Sequence, residues 1–198
     1  MSTEAAARPR TLLDESQRGK LLDIAEASIA YGLEHGEPLG VELDEAADYL
    51  NEQRATFVTV YIDGELDGCI GSIQPRRPLA VDVATNAYMA AFEDPRFSPV
   101  GADGLTTLEV RISVLSPLEP RRVDDEDQLC RLLEPGVHGL LLEHRGRLGT
   151  LLPSVWEKCP DRREFVAHVK RKAGLPRDFW SDRMRASTYT VEYVCRDH

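Results

Sequence analysis

The pair Asp63-Gly64 stands between two β-rich runs, Ala55 to Ile62 and Glu65 to Ile73, and constrains the fold more than any other local feature of the chain. Adjacent residues of this kind accept the left-handed backbone conformations of a two-residue hairpin turn, so the spacing predicts an antiparallel hairpin. A second hairpin is expected where Val137 to Glu143 and Leu148 to Leu152 flank His144-Arg145-Gly146-Arg147. Leu108, Val110, Ile112 and Val114 alternate with Glu109, Arg111 and Ser113, the period of a half-buried strand, and Pro117 and Pro120 close it. Tyr189, Val191 and Tyr193 alternate in a last strand, expected over 187–195 as part of the main sheet with the tyrosines on its buried face.

Helices are interspersed with these strands. Leu21, Ala25, Ile29 and Leu33 recur at helical spacing and His35-Gly36 supplies a stop. A short helix is expected near Asp44 to Gln53. Another starts at Pro78, shows Leu79, Val83, Ala87 and Ala91 on one face, and ends at Asp94-Pro95. Residues 124–133 form a short acidic helix, and Asp161 with Glu164 opens one that stops at Gly174. The regular strand–helix rhythm of a doubly wound fold is absent. The expected class is α+β: an antiparallel sheet flanked by helices, with a smaller accessory lobe. Residues 12–198 are expected as a single domain after a disordered tail over 1–11.

Composition narrows the function classes. A net charge of −10 argues against nucleic acid, because phosphate binding needs clustered lysine and arginine. The one basic run, Lys170-Arg171-Lys172, suits a helix C-terminus and reads as a solvated face. The cysteines at 69, 130, 159 and 195 form no CxxC pair, which leaves out zinc-ribbon, thioredoxin-like and local iron–sulfur spacings. No apolar run approaches the roughly 20 residues of a membrane span, and the first residues lack a signal peptide's apolar region. A reducing cytoplasm with free thiols is the expected setting.

Three segments carry a family resemblance. Leu66-Asp67-Gly68-Cys69-Ile70-Gly71 is similar to the signature Leu-Arg-Gly-Cys-Ile-Gly of the AMMECR-type domain family. Ala90 to Phe97 resembles its aspartate–arginine–phenylalanine helix exit, and Leu108 to Ser116 the strand that follows. Gly136-Val137-His138-Gly139-Leu140, Leu152 to Trp156 and Lys172 to Pro176 match downstream in the same order. Asp67 departs from the pattern, standing where the signature has arginine. The resemblance implies protein A of the AmmeMemoRadiSam trio, whose companions are a Memo-like protein and a radical S-adenosylmethionine enzyme. The CxxxCxxC motif of a radical enzyme is absent, so such chemistry belongs to a partner, and no cofactor is expected in this chain.

Cys69 is the side chain of most chemical interest. By strand alternation Leu66 and Ile70 face one way, while Asp67, Cys69 and Gly71 face the other, which is small and polar and suits a cleft. Gly68 and Gly71 would admit a ligand or another backbone beside the sulfur. The competing reading makes Cys69 a small buried hydrophobe beside glycines that serve a bulge. His138, between glycines, is the natural partner for a Cys–His dyad, or else a hydrogen-bonded structural residue. Arg96 is a candidate anion-binding residue, or ties a loop to a nearby acid, with Glu109 either its candidate partner or simply exposed. Cys130 reads as core, His144 and His168 as solvated, and no spacing resembles a metal site. Two functions follow: a small-molecule-handling subunit built on Cys69 and His138, or a non-catalytic adaptor that docks the Memo-like or radical enzyme.

Overall fold

A computed structural model of the chain describes residues 13–43 and 48–196. The tail expected over 1–11 and the start of the helix expected near Asp44 lie outside the described residues. The fold is α+β and holds two four-stranded antiparallel sheets, in two units. The first unit runs to Val114 and resumes at Glu192; the second spans Leu115–Val191.

In the first unit, helix α1 (Glu15–His35) begins at a capping box in which Asp14 and Gln17 satisfy each other's backbone N–H. It ends at Gly36, whose φ of 73° closes the last turn. A single turn, α2 (Asp48–Asn51), follows. Strands β1 (Thr56–Ile62) and β2 (Glu65–Gly71) form the expected hairpin, with Asp63 and Gly64 both at positive φ. Helix α3 (Leu79–Phe92) packs against α1 on one side and against β1 and β2 on the other. Strand β3 (Glu109–Leu115) pairs with β1. The sheet order is β2-β1-β3-β8, which leaves β2 as an edge. Val58, Val60, Val110 and Ile112 fill the core beneath Val83, Ala87 and Ala91 of α3.

One polar network fixes α3 to the start of β1. The buried Asp82 carboxylate accepts from the backbone N–H and hydroxyl of Thr56, from Asn86 and from Arg77. Burial pushes this carboxyl above its ordinary range, against the opposing pull of those hydrogen bonds.

In the second unit, β4 (Glu119–Arg121), β7 (Arg185–Tyr189), β5 (Gly139–His144) and β6 (Arg147–Leu151) lie side by side in that order. Helices α4 (Glu126–Leu132) and α5 (Arg162–Lys172) enclose a core containing Phe165 and Trp156, whose rings stack at 3.7 Å. Asp161 caps α5 by accepting the Glu164 N–H. Two expectations are corrected here. His144 is buried beside the Phe179 ring, and Lys170 is fully buried, its ammonium held by Glu126 and the Arg177 carbonyl.

The last strand is also corrected. The expected single strand is two, β7 and β8 (Val191–Val194), parted at Thr190 and belonging to different sheets. Thr190 and Ser116 exchange hydrogen bonds at this crossing. Tyr189 is consequently buried, while Tyr193 is 46% exposed.

Candidate functional site

Cys69 lies on β2, opposite Thr59 of β1. The hairpin carries a bulge here: Val60 pairs with Gly68 and Tyr61 with Leu66, so Asp67 is the extra residue. The bulge resets the alternation. Ile70, opposite Val58, packs against the core, but Leu66, opposite Tyr61, is 43% exposed and does not share Ile70's face as simple alternation predicts. Cys69 itself is half-buried.

The two flanking glycines have packing causes. A Cβ at Gly68 would sit 1.9 Å from the carbonyl oxygen of Ala90, so its absence lets α3 come down onto β2. A Cβ at Gly71 would sit 2.4 Å from the Phe57 ring and from the Thr56 carbonyl oxygen. Backbone and an aromatic ring thus fill the space beside both glycines.

As part of an edge strand, Cys69 turns its own N–H and C=O away from β1. Both are met by one acid–base pair. The N–H donates to Asp94 Oδ2 at 2.9 Å, and the C=O accepts from Arg96 Nη2 at 3.1 Å. Arg96 also holds Asp94 through Nε and Nη2, at 2.9 and 2.6 Å, and donates its backbone N–H to Oδ1. Asp94 is buried, and the hydrogen bonds from Arg96 hold its carboxyl well below the usual carboxylate range despite that burial. The pair stands where a further strand would otherwise bond. Asp94-Pro95-Arg96 leaves α3 as a clamp on the backbone of Cys69.

The thiol accepts a hydrogen bond from Thr59 Oγ1 at 3.4 Å. Across β1, Arg111 is paired with Thr59, and its guanidinium lies 4.5 Å from the centroid of the Tyr61 ring. Glu109 is 3.7 Å from Arg111, and both line a cleft of about 110 Å³ with Cys195 and Arg196. Arg96 is therefore held against Asp94, the Cys69 carbonyl and the Phe97 ring, while Glu109 neighbours Arg111. Thr59 and Asp94 were not anticipated as site residues. The Asp-x-Arg spacing at a helix exit, two residues that can chelate each other, was the available signal for Asp94.

His138 belongs to the second unit and stands in the turn before β5. Its Nδ1 accepts the Glu134 N–H, and its carbonyl accepts from Trp156 Nε1. Burial, followed by the charge of Arg121, lowers its pKa from the ordinary histidine value, so the ring is neutral at neutral pH. Among the described residues, no group of three histidine, cysteine, aspartate or glutamate side chains is placed to hold a metal ion. Nor is any helix among them long and apolar enough to cross a membrane.

Comparison with known proteins places this architecture. The AMMECR1 family model matches residues 22–194. Protein MK0488 of Methanopyrus kandleri is 37% identical over 164 residues, covering 81% of this chain and 78% of that one. A protein of Thermotoga maritima is 38% identical over 156 residues, covering 77% and 84%. The crystal structure of the uncharacterized protein PH0010 from Pyrococcus horikoshii superimposes with a TM-score of 0.81 at 30% identity, over 91% of this chain and 92% of that one. With the match running through both hairpins and the Cys69 strand, the chain belongs to the AMMECR1 family.

Proposed function

We propose that this chain is the small-molecule-handling component of a cytoplasmic, multi-protein modification system, with Cys69 as its reacting group. The observation that carries the reading is the double clamp on Cys69. Asp94 and Arg96 fix the backbone on one side, and Thr59 fixes the thiol on the other. A cysteine serving only as a core filler needs no such support, whereas a nucleophile gains from a fixed approach direction. The resemblance to the AmmeMemoRadiSam protein A supplies the setting: a Memo-like protein and a radical S-adenosylmethionine enzyme are the proposed partners. His138 is the proposed acid–base group; its neutral ring has one acceptor nitrogen, Nδ1, so taking up a proton there requires it to release the Glu134 N–H.

The test compares thiols within one molecule. Iodoacetamide labelling followed by peptide mass spectrometry is expected to modify Cys69 faster than the exposed Cys195. Asp94→Asn and Thr59→Val should each slow Cys69 without changing Cys195. Equal rates at the two positions would overturn the reading and leave the adaptor that docks the partner enzymes. An unchanged Cys69 rate in His138→Asn would remove the histidine from the chemistry of the thiol.

A further inference from the structure

The second unit carries a cleft of about 430 Å³ between α4 with its following turn and the start of α5. It lies wholly outside the Cys69 site, and its volume falls within the usual range for small-molecule pockets. Its wall is apolar and stiff: Pro135, Pro160 and the buried side chain of Cys130, whose thiol is pushed up by burial and stays protonated at neutral pH.

Three arginines and two aspartates line the rest. Arg163 is neutralised by Asp127 at 2.7 Å. Arg162 donates only Nε, to the Leu133 carbonyl, so both its terminal nitrogens stay available. The Arg131 side chain has no hydrogen bond or ion pair among the described residues. The other carboxylate, Asp161, also lines the cleft; its Oδ1 accepts the Glu164 N–H of α5, and neither Arg131 nor Arg162 forms an ion pair with it. Two guanidiniums that no acid neutralises therefore share a cleft with an apolar wall, in a chain whose net charge is −10. Self-repulsion does not explain their grouping, and neither is used in an ion pair among the described residues. A guanidinium can hold an oxygen-rich anion through two parallel N–H bonds, so a pair of them suits an acceptor with several oxygens.

The geometry points to a binding site for a small organic phosphate, with Arg131 and Arg162 on the phosphate group and its apolar body against Cys130, Pro135 and Pro160. A phosphate monoester, carrying about −1.5 to −2 near pH 7, offers several acceptor oxygens to the two guanidiniums that have no ion-pair partner among the described residues.

The experiment titrates the ¹⁵N-labelled full chain with phenyl phosphate and, separately, with inorganic phosphate at matched ionic strength. Saturable amide shifts are expected over residues 127–133 and 161–164, with phenyl phosphate binding the more tightly. Arg131→Ala and Arg162→Leu should each weaken phenyl phosphate about tenfold, the loss of one charge-assisted contact. Arg131 holds no other element, so its variant should melt as the parent does, and Arg183→Ala serves as a control that leaves affinity unchanged. Shifts that scatter over the surface or fail to saturate would overturn the site. So would equal affinity for the two phosphates, or affinity unmoved in Arg131→Ala.

Discussion

The Asp94 carboxylate accepts the backbone N–H of Cys69 at 2.9 Å while Arg96, bound to the same carboxylate, reaches the Cys69 carbonyl. A helix exit thereby does the hydrogen bonding of an absent neighbouring strand, at the one residue of β2 with nucleophilic chemistry. It also protects the sheet edge at that level from pairing with another chain.

Asp94→Asn tests this clamp through stability. The variant loses a charged acceptor for a buried N–H and for Arg96, which should cost about 1.5–3 kcal/mol at neutral pH. The pH dependence has a definite sign. Because the folded carboxyl sits below its ordinary value of 3.8, its contribution is fully present above that value and is lost as pH falls below it. Urea titrations should show parent and variant well separated at pH 7 and converging toward pH 3. A constant gap across that range would mean that Asp94 ionisation carries none of the stability.

Gly68→Ala should destabilise the first unit by roughly 1–3 kcal/mol or more, since the new methyl meets the Ala90 carbonyl oxygen and backbone cannot move as a side chain can. Gly19→Ala is the matched opposite. Its Cβ meets nothing within 4 Å on helix α1, so the lower unfolded-state entropy of alanine should stabilise by about 0.4–1 kcal/mol. Equal midpoints for the two variants would contradict the packing of α3 on β2.

Lys170 is a third test. Its fully buried ammonium joins Glu126 of α4 to the Arg177 carbonyl and lies 5.9 Å from the centroid of the Trp180 ring. Lys170→Met leaves a partly buried carboxylate unpaired and should cost about 3 kcal/mol. Adding Glu126→Gln should recover part of that loss, and the cycle of single and double variants measures the coupling. Additive costs would show that the pair contributes only through its separate surroundings.

The elements that were legible in the sequence are those with local causes. Asp63-Gly64 and Arg145-Gly146 announce their turns because the backbone there is at positive φ. Asp161 announces α5 because a cap acts within one helical turn. What could not be read depends on contacts far apart in sequence. The bulge at Asp67 moves Leu66 to the opposite face from Ile70, and nothing in the alternation of β2 alone marks it. Lys170 looks solvated within Lys170-Arg171-Lys172 until Glu126, 44 positions away, is seen against it. At the candidate site, Cys69 was visible through its signature. Asp94 and Thr59 were not, because their roles exist only once α3 and β1 lie beside β2.

The division of the last strand gives the final prediction. Ending the chain after Thr190 removes β8 but keeps β7, whereas ending it after Ala186 also removes most of β7. Val194, 1% exposed, belongs to the core of the first unit, and Arg18 of α1 is bound to Glu192 at 2.8 Å. Burying a valine contributes about 1.5–3 kcal/mol, and losing β8 also opens the hydrogen-bonding edge of β3. Tyr189 belongs to the other sheet, paired opposite Gly139, with its hydroxyl bonded to Thr150 and Leu151. The shorter truncation should therefore loosen β1, β3 and α1 while leaving the β5–β6 hairpin protected. The longer one should expose both. Amide hydrogen exchange resolved by peptide distinguishes them. If the cut after Thr190 leaves protection of Val110 and Ile112 unchanged, β8 does not close the sheet. If that same cut deprotects Leu140 and Leu142 equally, residues 187–195 act as one strand after all, as simple alternation suggests.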